Sequence, residues 1–454
     1  MLFASKNHIL KVSILIIDIE GINQHITLMR LDYGKKGIEL NLNPNWNTTI
    51  IRPLKQVVIK NPIEAVRDAI KNPVGSLPLK SIIKTRKSIK SVCIVVSDVT
   101  RPVPTHLIVE GLLKELFDYG IQENKIRILI ATGLHRPSRR EELNRILGTV
   151  LTSEVKISNH NATDKKSLVS LHNSDLEDPI FVNRYYYESD LKILTGYVEP
   201  HFFFGYSGGY KSIVPGIAGA ETILANHSAE NIASPYARFG IYENNPLHEH
   251  SSTQAKVVGV DFTINVSINK NHEITHIAAG DLELVHRKLV GYQKKHIFKE
   301  FHKRFDIVVC GNGGYPLDLN LYQAVKSLAI GEMGVKQGGT IISVNECKEG
   351  VGIGQDKFRE LIFSGKKPEK IYNKIIKKEI VVPDQWQIQV LTRILMKSEV
   401  YLVTSMKEEE IGNIGLKHAN TVEDAINQAL IKHGSDANIL ILPNGPLILP
   451  FINI

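Results

Sequence analysis

Six side chains able to move protons, bind anions or ligate metals stand in turn-forming segments or at a helix start in this chain. Asp98 and Arg101 lie in SDVTRPVP (97–104), His135 in ATGLHRP (131–137), His201 and Lys211 in EPHFFFGYSGGYKS (199–212), and Lys326 in LYQAVK (321–326). A histidine near its ordinary pKa of ~6.5 accepts and returns a proton close to neutrality. Arginine offers a carboxylate a bidentate fork, and lysine a point charge. Turn formation would explain any one of these segments. It does not explain four that all collect such groups.

The run GYSGGYKS (205–212) invites comparison with a phosphate loop. Adjacent glycines let backbone N–H groups approach an anion, and a helix opening behind them would favour it further. A P-loop needs G-x-x-x-x-G-K-[ST], and Tyr210 stands where the second glycine belongs. Phosphate cradling by Gly208 and Gly209 stays as an expectation, whereas a Walker-type nucleotidase does not. Lys211 becomes a candidate covalent tether or phosphate partner. HEITH (272–276) fits the zinc pattern H-E-x-x-H, but it sits in NVSINKNHEITHIAAGD, where alternation about Asn-Lys-Asn reads as a β-hairpin. On a strand, positions i and i+4 lie ~13 Å apart, too far for one metal. His248 and His250 flank Glu249 in a stretch that reads as surface loop. His227 closes the apolar run IAGAETILANH behind Asn226, which reads as its cap; alone, such a histidine is more often structural than a ligand.

Elements must position these groups. Apolar β-branched runs give strands at 91–97, 126–131 and 190–194, and helical spacing gives helices at 105–119, 141–147 and 218–226. A second α/β unit opens near Phe305 with DIVVCGNGG, continues as a helix over 321–330, and has strands at 339–344, 399–404 and 438–442. Strands alternating with helices imply mostly parallel sheets covered on both faces. The expected fold class is α/β, with two domains and an active-site cleft between them. The expected division is an extension over 1–28, a catalytic domain over 29–290 and a C-terminal domain over 291–454 that adds substrate-binding residues. A charged helix over 288–304 would link the two.

The 454 residues suit two or three domains at ~150 residues each. With 43% hydrophobic and 22% charged residues, a core of ordinary size is available. The excess of 55 basic over 47 acidic residues is mild for this length. Lys294, Lys295, Lys303 and Arg304, interleaved with Phe298, Phe301 and Phe305, read as a solvated helix face and not as a nucleic-acid stripe. Three scattered cysteines without a C-x-x-C pair point to a reducing, cytoplasmic setting. No apolar run reaches the ~18 residues of a membrane span. Lys11, Asp18 and Glu20 interrupt the apolar stretch over 9–22, and Met29 opens an alternating strand, so 1–28 reads as a dispensable extension.

SDVTRPVP, ATGLHRP, EPHFFFGYSGGYKSIVPG, ANH (225–227) and YQAVK (322–326) occur in the order and at the spacings of the nickel-dependent lactate racemase family, which this sequence resembles from about Met29 to near its C-terminus. The resemblance implies a pyridinium-3-thioamide-5-thiocarboxylic acid mononucleotide, a nickel-pincer nucleotide, attached to Lys211 through a thioamide. It implies His227 as the protein ligand to nickel, sixteen residues after Lys211 as in the family. Imidazole nitrogen suits square-planar Ni(II). It further implies His135 and His201 as the acid/base pair, and Gly208 and Gly209 near the cofactor phosphate. Asp98 would touch the cofactor or orient Arg101. Arg101, Tyr322, Gln323, Lys326 and Trp386 match substrate-contacting positions. The implied partners are a small 2-hydroxyacid and the enzymes that build and load the cofactor.

The function so implied is racemisation or epimerisation of a 2-hydroxyacid, lactate first, by proton-coupled hydride transfer. A longer hydroxyacid or a sugar acid would use the same chemistry. A non-catalytic nickel-cofactor binder would be the reading if His135 or His201 were missing, and both are present. A phosphotransferase is disfavoured by the absent P-loop glycine and the absence of a clear Mg²⁺-binding acidic motif.

Overall fold

The computed structural model describes residues 27–148, 155–172, 179–382 and 384–453. Fourteen strands matter here. A hairpin of β1 (Thr27–Leu31) and β2 (Ile38–Leu42) comes first, followed by the short β3 (Thr48–Ile50). Next come β4 (Val92–Ser97), β5 (Ile126–Ala131), β6 (Lys156–Asn159), β7 (Leu191–Tyr197), β8 (Phe262–Ile268) and β9 (Ile274–Gly280). The last five are β10 (Phe305–Gly311), β11 (Val335–Val344), β12 (Glu399–Val403), β13 (Leu416–Ala419) and β14 (Ile439–Leu442).

These strands build two six-stranded sheets, ordered β9-β8-β7-β4-β5-β6 and β13-β12-β11-β10-β14-β3. All pairings in both are parallel except β8 with β9. The α/β class with mostly parallel sheets is therefore as expected. β4 shows why. VCIVVS is apolar on both faces, which a strand tolerates only when helices cover both. Val92, Ile94 and Val96 face one core with Ile108, Leu112 and Leu116 of helix Thr105–Asp118, while Cys93 and Val95 face another with Ile213, Ile217 and Ala255. Alternation along a strand sends successive side chains to opposite faces.

The chain separates into two compact units that are not continuous in sequence. One holds residues 53–298 and 373–381; the other holds, among the described residues, 27–52, 299–372 and 382–453. The expected boundary near 290 differs at the amino-terminal side. β3 pairs with β14, and Met29, Leu31 and Leu40 pack with Ile307, Val309 and Ile342, so 29–52 belongs with the C-terminal sheet. Of the expected 1–28 extension, residues 1–26 lie outside the described residues. Thr27 and Leu28 are paired in β1 with Leu42 and Asn41, so that part is not an appendage. The expected linker helix is Leu282–Ile297, with Val285, Leu289 and Val290 buried in the first unit. It stops before β10, leaving Lys303 and Arg304 in the following turn, so the basic run is not one helix face.

Candidate active site

β4 lies between β5 and β7 in the first sheet, and the chain leaves these parallel neighbours in opposite directions along the sheet. Such a switch point opens a crevice at the carboxyl ends of the strands, the favoured ligand position in open α/β sheets. The segment after β4 carries Asp98 and Arg101, that after β5 carries His135, and that after β7 carries His201 and Lys211. Three of the four motifs thereby reach the carboxyl end of one sheet, and LYQAVK lies in the second unit.

Asp98 is 5% exposed, and its Oδ2 lies 2.7 Å from His135 Nδ1. Its Oδ1 accepts from the Thr100 hydroxyl at 2.6 Å and the Thr100 amide at 3.2 Å. Burial opposes the carboxylate charge, but the His135 bond, the Thr100 hydroxyl and the Arg101 charge hold the carboxyl below its usual range. Asp98 is thus hydrogen-bonded to His135, a partner that the sequence did not suggest, and its charge also meets that of Arg101. Arg101 itself donates to the buried Tyr197 hydroxyl, which in turn donates to Glu199 Oε1. Burial, then the Glu199 charge, raise the Tyr197 phenol well above its ordinary pKa, so it stays neutral.

His201 is buried in a two-residue strand, Pro200–His201, paired with Gly205–Tyr206. Its Nδ1 accepts from the amides of Phe204 at 3.2 Å and Phe203 at 3.5 Å. Beyond this hairpin, Gly208 has φ +74 and Gly209 φ +54, a region costly to residues with a Cβ. A Cβ on Gly208 would come within 2.6 Å of the Tyr197 carbonyl, and one on Gly209 within 2.7 Å of the His286 ring. Packing beneath the loop requires these glycines. The Gly209 amide donates to Asn265 Oδ1 at 3.3 Å, and only a single 3₁₀ turn, Gly209–Ser212, follows in place of the expected helix opening.

That turn aims Lys211 at two phenylalanines: Nζ lies 4.1 Å from the Phe204 ring centre and 6.0 Å from that of Phe203. His227 packs edge-on against the same Phe203 at 5.4 Å. It caps helix Ala220–Asn226, with its Nδ1 3.2 Å from the Ile223 carbonyl. A carbonyl only accepts, so the ring proton sits on Nδ1 and the lone pair on Nε2. Burial first, then the nearby Lys211 charge, lower the His227 pKa to about 3. A buried neutral imidazole with an unprotonated Nε2 fits a nitrogen ligand to a transition metal. Among the described residues no three His, Cys, Asp or Glu side chains gather as a metal cage. Asn226 does not cap its own helix; its Nδ2 donates to the Leu247 carbonyl and Ser251 Oγ.

In the second unit, helix Leu321–Gly334 opens behind Asn320, whose Oδ1 accepts from the Gln323 amide at 3.0 Å. One turn on, Lys326 Nζ donates to Gln323 Oε1 at 2.7 Å. Gln387 holds the Tyr322 backbone carbonyl, and the Tyr322 hydroxyl is bonded by Asp384 and Trp386. Burial, then Asp384, raise its pKa. Trp386 is half-buried at the start of helix Gln385–Lys397, so it is not a core aromatic.

The first part of the chain, residues 33–240, matches the model of the lactate racemase N-terminal domain, and residues 301–449 match that of the lactate racemase C-terminal domain. The chain is 35% identical over 422 residues to a lactate racemase of Thermoanaerobacterium thermosaccharolyticum, covering 92% of this chain and 97% of that protein. It belongs to the lactate racemase family. A lactate racemase of Lactiplantibacillus plantarum is 36% identical over 84% of this chain and 89% of its own length. The solved lactate racemase apoprotein from T. thermosaccharolyticum superposes with a TM-score of 0.86 at 33% identity, over 93% of this chain and 99% of the other. The chain is accordingly an isomerase of the racemase class.

Two histidine groups fall outside this lactate racemase-family site. HEITH is a hairpin, as its alternation implied: His272 occupies the turn at φ +61, and His276 on β9 stacks on Tyr292. His248 and His250 are not in a surface loop. They lie on helix Pro246–Val258, and His248 is buried against Tyr242, Tyr210 and His286. The polar letters misled because Asn245 caps this helix, through bonds to the amides of Leu247 and His248. The sequence reading missed Tyr197, Glu199 and Thr100 as supports. Their only signal was position, within four residues of a singled-out group.

Proposed function

We propose that this protein racemises or epimerises a 2-hydroxyacid, with lactate as the first substrate, by proton-coupled hydride transfer with a nickel-pincer nucleotide tethered at Lys211. The observation that carries this reading is the His227–Lys211 arrangement: a buried imidazole whose Nε2 holds a lone pair, sharing Phe203 with the amine of Lys211. His227 would supply the protein's nitrogen to nickel. When bound, the cofactor supplies a reversible hydride acceptor, chemistry no side chain offers. The chain's own groups do the rest. His135 and His201 hold and return the hydroxyl proton of the two enantiomers. Arg101, fixed through Tyr197, offers its remaining N–H donors to a carboxylate. Lys326, with Gln323, and Tyr322, with Trp386, are the second unit's candidates for binding the hydroxyacid. Among the described residues no helix is long and apolar enough to cross a membrane, and all three cysteines are buried thiols, in keeping with the cytoplasmic setting we propose.

The test is chiral chromatography of D-lactate incubated with protein matured alongside the cofactor-synthesis enzymes, with loading confirmed by intact mass. L-lactate that appears only with loaded protein supports the reading. A loaded protein that leaves lactate unchanged moves the substrate to longer hydroxyacids and sugar acids; one that turns over none of these sinks the racemase reading in favour of a cofactor binder.

A further inference from the structure

We propose that Asp98 is the positioning residue of His135, and that His135 and His201 rest in opposite ring tautomers, with the proton on Nδ1 at His135 and on Nε2 at His201. This rests on the acid/base roles proposed above, and it makes the two histidines unequal partners.

At His135 the argument runs from Asp98. Its carboxylate is buried, its Oδ1 is occupied by the Thr100 hydroxyl and amide, and its Oδ2 meets His135 Nδ1 at 2.7 Å. An ionised carboxylate has no proton to give, so the shared proton belongs to Nδ1. The neutral ring is thereby left with a lone pair on Nε2, on a side chain 53% exposed toward solvent. At His201 the polarity reverses. Backbone amides only donate, and those of Phe203 and Phe204 converge on Nδ1. Nδ1 is then the acceptor, and the neutral ring carries its proton on Nε2.

The fold enforces this second arrangement. Gly205, at φ +77, closes the Pro200–Tyr206 hairpin, and a Cβ there would come within 2.0 Å of the Ile241 carbonyl. The tight turn brings the amides of residues 203 and 204 back over the ring, which Phe202 stacks at 5.1 Å and Phe203 meets edge-on at 4.6 Å. For His201 to accept a proton on Nε2, its ring proton must first move to Nδ1, and the hydrogen bonds from the Phe203 and Phe204 amides must break. His135 needs no such change. In the resting protein His135 is the proton acceptor of the pair, and His201 presents an N–H.

The experiment is long-range ¹H–¹⁵N correlation of histidine rings in the ¹⁵N-labelled full chain, at about pH 8, where an ordinary histidine is neutral. His135→Gln and His201→Gln each remove one ring and so assign it. The expected result is a protonated Nδ1 at His135 and a protonated Nε2 at His201. The same tautomer at both, or the two reversed, overturns the proposal. In Asp98→Asn the His135 preference for Nδ1–H should be lost, and turnover by loaded enzyme should fall on the order of 10⁴-fold, as when an orienting carboxylate is removed from a catalytic histidine, with cofactor mass retained. Loss of the cofactor in Asp98→Asn, with wild-type tautomers at His135, would instead make Asp98 a cofactor contact. The spectra do not depend on turnover, so a wild-type protein that racemises nothing breaks the functional reading and leaves the tautomers to be judged alone.

Discussion

The segments after β4 and β5 differ from the segment running from Tyr197 to His227 in how they hold their working groups. In the first, polar side chains hold one another at a half-open surface: Thr100 on Asp98, and Asp98 on an exposed His135. In the second, burial and backbone do the holding. His201 is fixed by two amides, Gly208 and Gly209 by lack of space, and His227 by a carbonyl. The first arrangement leaves His135 exposed, and the second buries both His201 and His227. A stable metal bond, the role proposed for His227, needs rigidity and exclusion of water.

The contrast can be broken most sharply at its two ends. Lys211→Ala should abolish the cofactor adduct in the intact mass and with it all turnover. An active, loaded Lys211→Ala protein would remove the tether assignment. His135→Ala, in the open half, should keep the adduct and lose turnover by about 10²–10⁴-fold, the usual worth of a positioned general base. If it lost the adduct as well, the two regions would not be functionally separate.

Gly209→Ala tests the packed half through stability. The new methyl would need both a left-handed backbone and space now held by the His286 ring, and a cost of about 1–3 kcal/mol is expected in apoprotein unfolding by urea. An equal cost in a His286→Ala background would show that the backbone alone, and not the ring, sets the penalty.

A further effect is a pH dependence set by buried histidines other than the proposed acid/base and metal-ligand residues. Burial lowers His160 and His286 to about 4 and His248 to about 3. Each takes up a proton in the unfolded chain near 6.5 but not in the fold until its lowered pKa. Unfolding therefore binds protons in that window, and stability falls as pH drops from about 6.5 toward 4, by up to ~1.4 kcal/mol per pH unit for each such group. Apoprotein Tm measured between pH 7 and 5 should decline, and His248→Phe should flatten the slope. A Tm flat across this range would contradict the burial of these rings.

The sequence by itself determined the α/β class, most strands and helices to within a few residues, and the motifs that carry Asp98, His135, His201, Lys211 and His227. A short apolar run without alternation, such as VCIVVS, reads as a strand covered on both faces because its length and β-branched residues suit one, and a hairpin is legible where alternation flanks a polar turn, as at HEITH. Chain order could not say that β3 pairs beside β14, because strand neighbours far apart in sequence are chosen by packing. It could not place His248 inside, because a polar helix and a polar loop share a composition and differ in what covers them. Nor could it give Asp98 to His135, 37 residues away. Hydrogen-bond direction is a property of space. The letters name which groups are present, and only the folded chain decides which donor meets which acceptor, and hence on which nitrogen each histidine keeps its proton.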